Sequence, residues 1–113
     1  MTGICPARHI SRVMQTFDVL AEPRRRTILD LLRDGERSVG ELVEELGLSQ
    51  PAVSKHLRVL REAGLVKFRV AAQRRCYELS PAPLAEIDAW LAPYRHFWSG
   101  RLDALERRLD ETP

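Results

Sequence analysis

Between Ser49 and Gly64 the chain reads SQPAVSKHLRVLREAG, and its polar residues recur at helical spacing. At 3.6 residues per turn, Pro51, Ser54, Lys55 and Arg58 share one side with Arg61 at its edge, while Val53, Leu57 and Leu60 share the other. Ser49 is placed to cap the first turn, Pro51 fits there because its missing N–H would be unpaired anyway, and Gly64 can end the helix. The outward side therefore carries short hydrogen-bonding groups first and cations further along. Such a set suits the DNA major groove, which admits one helix and is read through donors and acceptors on base edges. Gln50 can pair with adenine, Ser54 and Lys55 can reach base edges, and Arg58 and Arg61 suit phosphates. His56 lies at the boundary of the apolar side, where a packed histidine fits better than a direct contact, and it stays among the candidates. An ordinary amphipathic surface helix has the same two sides, so the flanking segments must decide.

They read as a frame for that helix. Downstream, Leu65-Val66-Lys67-Phe68-Arg69-Val70, the tip Ala71-Ala72-Gln73-Arg74 and the run Arg75 to Leu79 form a hairpin pattern. Leu65, Phe68, Val70, Tyr77 and Leu79 are its apolar contacts; Arg69, Gln73, Arg74 and Arg75 are its candidates for the adjoining minor groove. Upstream, Ser38 with Glu41 three residues on is a capping box that starts a short helix, Val39 to Leu46, whose N-terminus can face a phosphate. Gly47-Leu48 turns the chain from one helix to the next. Helix, turn, helix and basic hairpin in that order predict a winged helix-turn-helix, mainly α with a β-hairpin wing, in the order α-α-α-α-β-β-α.

Two further helices precede this unit. Ile10 to Ala21 places Val13, Phe17 and Leu20 on one face, and Glu22-Pro23 opens Arg24 to Arg33, with Ile28, Leu31 and Leu32 inward. Arg24, Arg25 and Arg26 fan over different sides and cannot all face one ligand. One of them can touch a phosphate, and the others fit solvent or neighbours such as Glu22 and Asp30. Residues 1–9 lack periodicity and read as a flexible tail, leaving 10–113 as one domain; Met14 is a second possible start. At the other end, Leu84, Ile87, Leu91, Tyr94, Trp98, Leu102, Leu105 and Leu109 recur at spacings of three, four and seven after Ser80-Pro81. That is a long helix with a continuous apolar stripe, which Pro93 should kink or divide.

Composition narrows the class. A chain of 113 residues that is 44% hydrophobic is large enough for one packed core, and it holds no run of about 18 apolar residues. No basic-then-apolar leader opens it, and two distant cysteines make no disulfide framework, which together fit a cytoplasmic protein. Net charge is only +2, but Ser49 to Leu79 holds seven cations against two carboxylates, and the remainder eleven against fourteen. A basic segment on an otherwise acidic chain is the electrostatic footprint of phosphate-backbone binding. No glycine loop for phosphate occurs, and His9, His56 and His96 fall on separate segments, so an enzyme is not expected.

LSQPAVSKHLRVLREAGLVKFRVAAQRRCYEL resembles the recognition helix and wing of the ArsR-type (arsenical-resistance-repressor-like) bacterial regulators, and FDVLAEPRRRTILDLL resembles their first two helices. The resemblance runs from Met14 onward and implies a homodimeric transcription factor, usually a repressor, on double-stranded DNA with a palindromic operator. It also implies that the first and last helices build the dimer interface, for which Met14, Phe17, Leu91, Tyr94, Phe97, Trp98, Leu102 and Leu105 are candidates, with Trp90 as a further aromatic anchor. The family's metal-sensing patterns are missing: Ser38-Val39-Gly40-Glu41-Leu42 carries no Cys-x-Cys, and Asp88 and His96 have no second pair on the last helix. Zinc wants about four converging ligands, so no metal or cofactor is expected. Two rival readings stand: a module docking proteins through Trp90, Phe97 and Trp98, and a repressor sensing redox state through Cys5 and Cys76.

Overall fold

Val53, Leu57 and Leu60 are fully buried, and the rest of the fold is arranged to cover them. The structure, a computed structural model, describes the backbone of residues 4–111 and the side chains of 11–98, 100 and 107–109. Its elements are α1 (Ile4–Leu20), α2 (Pro23–Arg33), β1 (Arg37–Ser38), α3 (Val39–Leu46), α4 (Gln50–Glu62), β2 (Val66–Ala71), β3 (Arg74–Leu79) and α5 (Ala82–Glu111). Ile28 of α2, Leu42 of α3 and Leu65 before β2 close over the inner side of α4, each with no exposed surface. Removing such a side chain from water contributes about 1.5–3 kcal/mol. The winged helix-turn-helix is thus present, with one strand more than expected.

The local signals act as their chemistry predicts. Ser38 Oγ accepts from the Glu41 N–H at 3.2 Å while Glu41 Oε1 accepts from the Ser38 N–H at 3.0 Å, completing the capping box of α3. Gly47 ends α3 in the left-handed region at φ 67°. Ser49 Oγ caps α4 by accepting from the Ala52 N–H at 3.3 Å. At the far end of α4 the Leu65 N–H reaches the Leu60 carbonyl at 2.9 Å and the Gly64 N–H reaches that of Arg61 at 2.9 Å, with Gly64 at φ 79°. This is a Schellman turn, and its apolar closure is the buried pair Leu60 and Leu65.

Four expectations need correction. First, α1 starts at Ile4 and not at Ile10, with Pro6 in its first turn where no helical N–H is needed. Second, its inward face is Val13, Thr16 and Val19, at 5%, 3% and 6% exposure, while Phe17 is 41% exposed and Leu20 half-buried. Thr16 tolerates burial because its hydroxyl donates to the Arg12 carbonyl at 3.0 Å. Third, β1 pairs with β3, Arg37 opposite Tyr77 and Ser38 opposite Cys76, so the wing is the outer part of an antiparallel sheet ordered β1-β3-β2. Fourth, Val70 is exposed at 65% and stays out of the core. Of the two outcomes expected at Pro93, division does not occur, since α5 is one helix through that residue. The missing bond at Pro93 would have ended at the carbonyl of Ala89, one of several small residues there.

The wing turns on two residues. Val66 to Ala71 pairs residue by residue with Leu79 to Arg74, leaving Ala72 and Gln73 as the turn, at φ 50° and 68°. Both central φ values are positive, the condition of a type I′ hairpin, for which Asn-Gly is the preferred pair. Ala and Gln carry a Cβ into this region at a cost of about 1–2 kcal/mol each. The double substitution Ala72→Asn/Gln73→Gly is therefore expected to raise stability by about 1 kcal/mol. A thermal melt followed by circular dichroism checks this; an unchanged or lower midpoint would show that the tip is relaxed.

Candidate nucleic-acid interface

The outward side of α4 is solvent-exposed along its length: Ser49, Gln50, Pro51, Ser54, Lys55, Arg58 and Arg61 all face away from the core. Lys55 and Arg58 form no ion pair with any described residue, so their charge is available to an incoming polyanion. Arg61 lies with its guanidinium 4.9 Å from the centre of the Phe68 ring on β2, and Arg75 from β3 lies 5.5 Å from the same ring. One aromatic side chain thus collects a cation from the end of α4 and one from the wing. Tyr77, buried beside it at 5.5 Å between ring centres, fixes the ring in turn.

The other wing cations are already engaged. Arg69 grips Glu36 with two hydrogen bonds, at 2.7 and 3.2 Å. Those bonds, and next the carboxylate's charge, raise the Arg69 pKa above its ordinary value. Arg74 donates to Ser38 Oγ at 3.1 Å and lies 3.8 Å from Glu41. Lys67 pairs with Glu78 across the hairpin at 3.5 Å. Arg69 and Arg74 therefore tie the wing to the segment around β1 and the start of α3. Beside the Arg74–Ser38 contact opens a cleft of about 400 Å³ lined by Ser38, Val39, Gly40, Gln50, Gln73, Arg74 and Arg75. It joins the N-terminal ends of α3 and α4 to the wing tip, so the positive ends of two helix dipoles and two guanidiniums border one hollow.

His56 does not share the outward face. It is half-buried on the rear side of α4, where its Nδ1 accepts from Arg25 Nε at 3.3 Å. Sequence reasoning missed this role of Arg25, because three consecutive arginines carry no signal that singles out one. It also missed Glu36, Ser38 and Gly40 as neighbours of the wing, since only the β1–β3 pairing brings them there. Cys76 is a free thiol on β3, half-buried and opposite Arg69 in the register; Cys5 lies outside the described side chains.

A second surface lies on α1 and α5. Phe17 meets Trp90 edge-to-face at 5.8 Å, and Trp90 stacks at a tilt on Tyr94 at 5.3 Å. All three remain well exposed, as do Met14, Phe97 and Trp98 at 60%, 66% and 50%. Leu91 is half-buried, and Leu102 and Leu105 lie outside the described side chains. Asp88 is bound to Arg95, and among the described residues no three His, Cys, Asp or Glu side chains converge as a metal site would require.

A helix-turn-helix whose second helix presents free cations beside a basic wing defines a class, the winged transcriptional regulators. Comparison with known proteins agrees. Residues 22–67 match the family described as bacterial regulatory protein, arsR family. An HTH-type transcriptional regulator of Mycobacterium tuberculosis is 40% identical over 85% of this chain and 87% of its own. The biofilm growth-associated repressor of Xylella fastidiosa is 36% identical over 71% of this chain and 70% of its own. The solved structure of reduced HlyU from Vibrio cholerae, 39% identical, covers 78% of this chain and 94% of its own with a TM-score of 0.64. The chain belongs to the arsR family of bacterial regulatory proteins.

The capping box supplies a test of the site's electrostatics. The Ser38 backbone N–H, followed by the Ser38 hydroxyl and the nearby Arg74 and Arg37, holds Glu41 below its ordinary value of 4.5. A lowered folded-state pKa stabilises the fold above pH 4.5, and that stabilisation is lost as pH falls below it. Glu41→Gln keeps an acceptor but no titration, so its urea midpoint should decline less steeply than the wild type's on acidification through this range. Parallel declines would remove Glu41 from the acid sensitivity of the fold.

Proposed function

We propose that this protein is a homodimeric, sequence-specific repressor that binds a two-fold related operator. The observation that carries the reading is the exposed side of α4. Its Lys55 and Arg58 have no ion-pair partner among the described residues, and its Gln50 and Ser54 stand at the leading end. Placed in the major groove, Gln50, Ser54 and Lys55 meet base edges, while Arg58 and Arg61 meet phosphates. Arg75 and Gln73 carry the wing to the adjacent minor groove. Arg69 and Arg74 set the angle of the wing through Glu36 and Ser38 before they serve DNA, and His56, on the rear side of α4, ties that helix to Arg25 of α2. Two copies of α4 would enter successive major grooves about one helical turn apart.

The dimer is built through α1 and α5. Phe17, Trp90, Tyr94, Phe97 and Trp98 form an exposed aromatic face of the kind that subunit interfaces remove from water. Repression is favoured because the Xylella relative is named a repressor, although the related HlyU of Vibrio cholerae is named a transcriptional activator. No catalytic or metal role is proposed, and a cytoplasmic location follows from work on chromosomal DNA.

Fluorescence-anisotropy titration at two salt concentrations tests this, using DNA upstream of the protein's own gene with random DNA as control. Tight, selective binding that weakens steeply with salt is expected. Arg58→Ala or Arg75→Ala should weaken binding to all sequences and reduce the salt slope by about 1 for each phosphate no longer neutralised. Gln50→Ala should instead relax sequence preference at one position. Binding equal to the control, with indifference to salt, would favour the aromatic face of α5 as the working surface in place of α4.

A further inference from the structure

Arg25 occupies a junction that DNA reading alone does not require. Its Nη1 donates to the Val19 carbonyl at 3.2 Å, near the end of α1, while its Nε donates to His56 Nδ1 on α4 at 3.3 Å. The neighbouring Arg26 donates to the Leu20 carbonyl at 2.7 Å and the Ala21 carbonyl at 3.4 Å. Two adjacent arginines of α2 therefore close the C-terminal end of α1, and one of them continues to the helix that faces DNA. The cations complement the negative end of the α1 dipole. The same α1 carries Phe17, which meets Trp90 of α5 edge-to-face. A chain of direct contacts thus runs from the aromatic face to α4: Trp90, Phe17, the α1 terminus, Arg25, His56.

The last link has a protonation requirement. Arg25 offers only donors, so His56 Nδ1 must be the acceptor, which only a neutral imidazole with its proton on Nε2 provides. Once charged, His56 presents a second donor to the guanidinium, and two cations face each other where a hydrogen bond stood. The groups around it lean the same way: Arg25 and Arg24 of α2 and Lys55 on its own helix are positive, and they outweigh the carboxylate of Glu22. Burial first, and Arg25 next, hold His56 below its ordinary value of 6.5. Both effects favour the neutral imidazole that the bond to Arg25 needs.

We propose that Arg25 and His56 are positioning residues that lock α4 to the end of α1, and that protonating His56 opens this lock and weakens DNA binding. The proposal rests on the DNA-binding role argued above. It assigns to His56 a part in which it touches no DNA, and it makes the acidity of the surroundings an input to the interface.

Two measurements on the full chain test it. The imidazole of His56 is titrated by NMR in the wild type and in Arg25→Met, with His56→Gln identifying its signal. The His56 pKa should lie below the ordinary histidine value and move up toward it in Arg25→Met; equal values in the two proteins would overturn the proposal. Anisotropy titrations with a duplex selected from a random library are then run at fixed salt from about pH 8 to about pH 5. Wild-type affinity should fall several-fold through the pH at which His56 titrates. His56→Gln, whose amide oxygen accepts from Arg25 but takes no proton in this range, should lack that step. Parallel pH profiles would overturn the proposal and leave the DNA-binding reading intact. A wild type that selects no duplex at any pH would overturn both, and a merely structural histidine would lower the melting temperature of His56→Ala without altering the profile.

Discussion

The constraint on which everything else depends is that α4 must bury Val53, Leu57 and Leu60 completely while leaving the opposite side bare. A helix with one apolar stripe can be rotated only slightly before a leucine enters water, so burial fixes which residues face outward. The Schellman turn at Gly64 then fixes where the chain goes next. Leu60 and Leu65 close it without exposure, and β2 departs at an angle that places Phe68 under Arg61. The direction of the wing is thus set by the same apolar contacts that set the rotation of α4.

Charge on the wing is distributed by the sheet rather than by the hairpin alone. The pairing of β1 with β3 brings Glu36, Ser38 and Glu41 beside Arg69 and Arg74. These exposed pairs contribute little to stability, since solvent screens them. Their weight is geometric, because a bidentate arginine holds a planar orientation that a solvated one does not. Lys55 and Arg58, exposed on α4, have no such carboxylate among the described residues.

Much of this is legible in the amino-acid order. The two faces of α4, the caps at Ser38 and Ser49 and the basic hairpin follow from periodicity and short-range chemistry. The inward face of α1 is harder to read because Thr16 counts as polar, whereas its hydroxyl bonds back to Arg12 and leaves only a methyl to bury. A strand of two residues has no periodicity to read, so β1 and every contact that it creates are invisible in the sequence. Arg25 is the sharpest case: its partners Val19 and His56 lie six and thirty-one residues away, and nothing in a triple arginine marks the middle one.

The placement of the aromatic residues separates two kinds of signal. The chain has two tryptophans, Trp90 and Trp98, and both stand on the exposed side of α5, remote in sequence from the buried leucines of the helix-turn-helix. Indole emission responds to the polarity around the ring, so the intrinsic fluorescence of this protein reports what covers α5. The core around α4 holds no tryptophan and is dark to that probe. Tryptophan emission from this protein therefore follows the surroundings of α5, including the Phe17 contact to α1, and not the packing around α4.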